Sequence, residues 1–362
     1  MRRWKLAAVL LCIILGLGAA GCGESGEDGN TDTTQAAGGT DSIWDQEPVV
    51  HLGDIEISYR ELMIYLQSTR QEYEDQYGSE IWDYVLDEDG MTVWDFVKEM
   101  TLEQLIYLKI VCAQAEELGV SLTEDEVMDV LDYTADYIDH FTEDELDYYG
   151  ITVEIVQNIY SENLLAEKIY ETVTLRADTD VPDEEARQVK VWQIYVQTAG
   201  FDEEGNQLNL TEEELDEKRQ KAEELLAGAR EAEDFLAYAQ TNSEDTSEIE
   251  VVFGQGDRDD AIVTAAFALA AGEISDLIET EDGYYILYCV EETDEVATAE
   301  KKEEIIAERQ KALFEEYYEE WSSAYTITVN DEVWELVTLD PNAAAAEAET
   351  EGESETQESS EG

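Results

Sequence analysis

Histidine is almost missing from this chain of 362 residues: His51 and His140 are the only two. They stand far apart with no His or Cys neighbour, so a zinc site or a His-based nucleophile triad lacks its parts. Bases are scarce as well, 20 Lys and Arg against 91 Asp and Glu, giving a formal net charge of −71. Such a field repels nucleic acid and anionic headgroups, so nucleic acid is not an expected partner. It favours cationic partners and, more simply, keeps an acidic surface solvated. The four cysteines, Cys12, Cys22, Cys112 and Cys289, are too few and too scattered for a disulfide-stapled scaffold. Cys112 and Cys289 fall in separate apolar patterns and are expected as free thiols. Residues 85–96, around Asp87, Asp89 and Gly90, have the middle of a calcium loop. Val85 and Phe96 take its first and last ligand positions, so the segment reads as an acidic turn. No metal or cofactor is expected.

The apolar run over residues 6–17 is too short for the roughly 20 residues of a spanning helix, and Arg2, Arg3 and Lys5 precede it. That pattern predicts a signal peptide over residues 1–21. Ala19-Ala20-Gly21-Cys22 resembles the lipobox of bacterial lipoproteins, with Ala19 a less usual choice than Leu. The resemblance implies a mature chain starting at Cys22, acylated there, outside the cytoplasm and anchored to the cell membrane by lipid. Residues 22–46 are rich in Gly, Ser, Thr and acids without a base and predict a disordered tether. Residues 340–362 predict a disordered acidic tail.

Between these ends the periodicity is helical first and mixed later. A strand is predicted over residues 49–57. Helices begin at the capping pairs Ser58/Glu61, Thr123/Glu126 and Thr142/Glu145. A helix over residues 92–118, apolar on most faces, should be buried and stop at Gly119. Another covers residues 153–175, and Pro182 opens a linker. Thr211/Glu214 caps a helix over residues 212–227, and residues 232–240 give a second, both flanked by strands. Ile306, Leu313, Tyr317 and Trp321 form one helical stripe, and Tyr325, Ile327 and Val329 alternate as a strand that should pair with residues 49–57. The Tyr and Trp residues at helical spacing are expected in the core.

Ala265-Ala266-Phe267-Ala268-Leu269-Ala270-Ala271-Gly272-Glu273-Ile274-Ser275 and Gly283-Tyr284-Tyr285-Ile286 resemble the closing part of a parvulin-type prolyl isomerase domain. Val191-Trp192-Gln193-Ile194-Tyr195-Val196 stands at the family's first strand, and Ser243-Glu244-Asp245 at its S-x-D turn. Leu52-Gly53-Asp54-Ile55-Glu56-Ile57, Ser58-Tyr59-Arg60-Glu61-Leu62 and Ala113-Gln114-Ala115-Glu116-Glu117-Leu118-Gly119-Val120 resemble the helical chaperone domain of PrsA- and SurA-type foldases.

The resemblance implies an α+β protein in six segments. These are the leader (1–21), the tether (22–46), the first part of a SurA-N-like chaperone domain (47–186) and an inserted parvulin-like domain with a small mixed sheet covered by helices (187–293). A helix and strand returning to the chaperone domain (294–339) and the tail (340–362) follow. It implies a proline cup lined by Met and Phe above two strand histidines and an Asp or Cys. Here Asp245, Phe253 and Phe267 are kept. Gln193 and Tyr285 replace the histidines, Ile262 the groove Phe and Arg258 the Met. Ser247-Glu248-Ile249-Glu250-Val251-Val252 replaces the Gly-rich turn. Asp245, Gln193 and Tyr285 are therefore the candidate catalytic residues, and Phe253, Ile262, Phe267 and Arg258 the candidate substrate contacts. Prolyl isomerisation needs no nucleophile or metal, only relative stabilisation of a twisted peptide bond. The expected function is a membrane-anchored folding factor whose partners are unfolded or partly folded exported proteins, with weak or lost isomerase activity. The alternative is a non-enzymatic surface lipoprotein that binds one folded partner or an envelope polymer.

Overall fold

The structure is a computed structural model that describes residues 43–201 and 207–340. The leader, Cys22, the tether up to residue 42 and the tail from residue 341 lie outside the described residues. The chain forms two compact units, one reaching up to Arg176 and resuming at Leu313, the other Ala177–Ala312.

In the first unit the strand predicted over residues 49–57 is a hairpin. β1 (Val50–Leu52) pairs antiparallel with β2 (Ile55–Ile57), and Gly53 makes the turn with φ of 67°. Only a residue without a Cβ takes that conformation without strain. Ser58 caps α1 (Tyr59–Tyr77) by accepting from the Glu61 amide at 3.1 Å. The return half of that capping pair is missing, because the Glu61 carboxylate is buried 2.8 Å from Lys109 Nζ instead. The single helix predicted over residues 92–118 is broken into α2 (Val93–Cys112) and α3 (Ala115–Leu118). The Gln114 amide bonds back three residues to Val111 O at 3.0 Å, a tightened closing turn that ends α2. α4 (Glu124–Ile138) and α5 (Glu143–Tyr148) start at reciprocal capping boxes, Thr123 with Glu126 and Thr142 with Glu145, and α6 (Val153–Thr174) completes the helices. The Asp87 carboxylate accepts from the Asp89 and Met91 amides at 3.1 and 3.0 Å, so it is used on its own turn.

The second unit runs α7 (Asp183–Ala186), β3 (Val189–Gln197), β4 (Ala199–Phe201), β5 (Gln207–Asn209), α8 (Glu212–Glu231), α9 (Phe235–Asn242) and β6 (Glu250–Phe253). It continues with α10 (Asp260–Ala268), β7 (Ile278–Glu279), β8 (Gly283–Glu291) and the start of α11 (Glu295–Ser323). The main sheet has the order β6-β3-β8-β7 and is antiparallel throughout, not mixed as expected. The connection through α8 and α9 returns the chain to the end of β3 it had left, so β6 enters beside Trp192 and runs the other way. α8 and α9 cover one face through Ala229, Phe235 and Ala239 against Ile194 and Ile286. α10 covers the other through Ile262, Val263 and Ala266 against Val191, Phe253 and Leu287.

From Leu313 onward the chain belongs to the first unit again. Phe314 and Tyr318 are the residues α11 buries there, with Tyr317 and Trp321 of the predicted stripe packed beside them and Leu313 outside the cluster. The larger rings decide this: Tyr318 lies 4.3 Å from the Tyr107 ring and Phe314 4.9 Å from that of Tyr170. β9 (Ile327–Val329) pairs antiparallel with β1, Val329 opposite Val50 and Ile327 opposite Leu52. α12 (Asp331–Glu335) follows, burying Val333. Cys112 and Cys289 are free.

Candidate functional site

Alternation along β3 turns Val191, Gln193 and Tyr195 to the face that α10 covers, and the pairing of Tyr195 with Tyr285 brings Gln193 diagonal to Tyr285 across β8. Gln193 is 2% exposed, yet its amide is satisfied: Nε2 donates to Glu248 O at 2.8 Å and Oε1 accepts from Arg258 at 3.3 Å. The Arg258 guanidinium also reaches Glu248 at 3.4 Å and lies 5.7 and 6.0 Å from the Phe253 and Tyr285 ring centres. Five expected site residues therefore meet: Gln193, Arg258, Phe253, Tyr285 and, packed in the same cluster, Ile262.

Asp245 does not join them. The Asp245 carboxylate accepts from the Ser247 amide and hydroxyl at 2.8 and 2.6 Å. Those bonds, the hydroxyl's first, hold its pKa below the usual carboxylate range. Phe267, near the far end of α10, packs against the edge of the same cluster, with the Arg187 guanidinium 4.8 Å from its ring centre.

The residues at the expected cup expose little apolar surface. Phe253, Ile262 and Tyr285 are 3, 3 and 6% exposed and close on one another. Arg258, which stands where the resembled family carries a Met, lies over the Phe253 and Tyr285 rings. Beside this cluster an open groove of about 550 Å³ runs along β6, lined by Ser247, Glu248, Glu250, Val251, Val252, Phe253, Asp257 and Arg258. The Tyr285 hydroxyl donates to Asp282 Oδ2 at 2.9 Å, and burial first, then Asp282, pushes its pKa far up. Burial lifts Tyr195 to about 12. Neither phenol exchanges a proton near neutrality, so the arrangement suits hydrogen bonding and packing rather than acid–base chemistry. Sequence reasoning missed Glu248, Asp282 and Tyr195. The signal for Tyr195 was its place two residues beyond Gln193 on one strand; Glu248 and Asp282 sit in turns, where no periodicity marks them.

The site thus sits on a four-stranded antiparallel sheet with α8 and α9 on one face and α10 on the other, and the groove follows its outer strand β6. Residues 203–291 match the family model described as a PPIC-type PPIASE domain, a span that begins after the strand carrying Gln193. Residues 34–148 match the SurA-like N-terminal domain. The chain thus joins a SurA-like N-terminal domain to a PPIC-type domain.

Among whole proteins it is similar to the foldase protein PrsA of Clostridium botulinum strain Langeland, 26% identical over 284 residues, 72% of this chain and 81% of that one. The PrsA of Clostridium acetobutylicum is 24% identical over 297 residues, 77% of this chain and 86% of the other. A solved structure of the peptidylprolyl isomerase PrsA from Bacillus cereus aligns with a TM-score of 0.33 at 18% identity, covering 73% of this chain and 96% of its own.

Proposed function

We propose that this protein is an extracytoplasmic foldase and chaperone for exported proteins, and that its rotamase domain holds client chains more than it accelerates their isomerisation. The kinship with PrsA foldases supports the first part. One observation carries the second: Phe253, Ile262 and Tyr285 are almost fully buried in one cluster, with Arg258 over the Phe253 and Tyr285 rings, so little of their apolar surface is open to a proline ring. In this reading Arg258 and Phe253 border the client groove with Gln193, Tyr285 and Ile262 packed behind them, whereas Asp245 shapes its own turn and Phe267 packs α10 against that cluster. Clients are unfolded or partly folded exported chains. No helix among the described residues is long and apolar enough to cross a membrane. The leader pattern and the small residues before Cys22 support a lipid anchor at that cysteine.

The test is a pair of assays on the purified mature chain. Suppression of aggregation of an unfolded exported protein is expected, together with prolyl isomerisation scarcely above the uncatalysed rate. Catalysis as fast as that of a rotamase with both histidines would overturn the buried-cup reading. Saturable binding to one folded partner without any suppression of aggregation would instead make the protein an adaptor.

A further inference from the structure

We infer that β6 is a docking edge on which an extended, basic segment of a client adds as a fifth strand of the rotamase sheet. This rests on the client-binding reading above and specifies how the client is held.

β6 is the outer strand of the order β6-β3-β8-β7. The Gln193 amide donates to Ile249 O at 2.8 Å. With the register Val191 to Val251 and Val189 to Phe253, Ile249, Val251 and Phe253 are the residues that exchange hydrogen bonds with β3. Glu250 and Val252 lie between them, so their N–H and C=O groups point away from the sheet. The groove borders all four residues of β6, so the outer side is open along its length.

Outer strands of soluble proteins are normally protected by Lys, Pro, a bulge or extreme shortness. The opposite edge, β7, is only two residues long. β6 has four residues without Lys or Pro, and Val252 is 41% exposed. Its one charge, Glu250, is tied back to Lys190 at 3.4 Å and to Trp192 Nε1 at 2.9 Å.

Charge selects the occupant. Glu248, Glu250 and Asp257 line the groove, and with Arg258 on Glu248 and Lys190 on Glu250 one negative charge remains in excess. A client strand with Lys or Arg at alternate positions gains from these carboxylates, and its main chain supplies the partners for Glu250 and Val252. A second copy of this chain, at net charge −71, and its base-free tail over residues 342–362 are repelled.

The probe is a short peptide alternating Lys and Val, added to the full mature chain while amide hydrogen exchange is followed. Exchange at Glu250 and Val252 is expected to slow about tenfold or more on saturation, while a peptide alternating Glu and Val leaves it unchanged. Val252→Pro removes an outward N–H without touching the bonds to β3 and is expected to weaken peptide binding about tenfold. Lys–Val binding that leaves both amides as fast as before, or native binding by Val252→Pro, overturns the docking edge. So does protection without peptide that grows with protein concentration, since a second copy then covers the strand. If the chain still suppresses aggregation in those cases, the foldase reading stands and only the edge is lost. If it neither suppresses aggregation nor binds the peptide, the foldase reading falls first.

Discussion

Lys109 is buried with its ammonium 2.8 Å from Glu61 and 2.7 Å from Glu162, one positive charge between two carboxylates. Burial would lower the Lys109 pKa, but the two acids outweigh it and hold it above the ordinary lysine value. Glu61 goes the other way from most acids: burial, against the pull of Lys109 and with the push of Glu162, raises it from 4.5 to about 7. Its folded value thus lies above its unfolded one, so its protonated form contributes stability that is complete below 4.5 and lost as pH rises to about 7. Thermal melting of the first unit is therefore expected to be lower at about pH 8 than at about pH 5, with Glu61→Gln reducing the difference. Equal pH slopes for both proteins would show that Glu61 does not titrate in this window. Lys109→Met leaves the buried Glu61 and the half-buried Glu162 without their shared cation and is expected to cost about 3 kcal/mol in a denaturant titration near neutrality. At the candidate site, Tyr285→Phe removes only the bond to Asp282. It is expected to cost about 1 kcal/mol of stability and to leave prolyl isomerisation unchanged. A fall in isomerisation rate would identify the hydroxyl as a working group.

Among the elements, helix starts were legible because a capping box is written within four successive residues. Thr123/Glu126, Thr142/Glu145 and Thr211/Glu214 each form both halves. Ser58/Glu61 has the same letters but not the same bond, since Lys109, far along the chain, takes the carboxylate. Glu126 shows the opposite linkage to Glu61. The Lys168 ammonium first, then Thr123, lowers its pKa to about 2. Its contribution is therefore present above 4.5 and is lost as pH falls toward 2. Thr123→Ala is expected to cost about 1 kcal/mol, read as faster hydrogen exchange along α4. Unchanged exchange there would mean that packing on α6 alone holds the helix. The C-terminal elements carry a larger load. Removing residues from Lys301 onward takes away Phe314, Tyr318, Val333 and the outer partner of β1. Cooperative melting of the first unit is expected to disappear, and a truncated chain that melts like the full one would refute this.

For the whole molecule, a net charge of −71 is mostly self-repulsion that salt screens. Stability is expected to rise with ionic strength while binding of cationic peptides weakens; binding insensitive to salt would remove charge as the selector. Replacing Cys22 by Ser is expected to move the protein from the membrane fraction to the soluble one, and unchanged lipid labelling in that variant would exclude acylation at Cys22.

What the sequence determined alone was local or compositional. The acidity, the scarcity of histidine, the helical first part and the sheet-bearing second part all follow from near-neighbour patterns and residue counts. The identity of Gln193, Tyr285, Ile262 and Arg258 at the expected site was also legible, but not what they do together. Only tertiary packing brings Arg258 over Phe253 and Tyr285 and buries the residues of the expected cup, because those residues come from separate segments whose meeting depends on the register of β3 against β6 and β8. The same register decides which amides of β6 face outward. A one-residue slip would exchange Glu250 and Val252 for Val251 and Phe253, and sequence periodicity within four residues does not fix that choice.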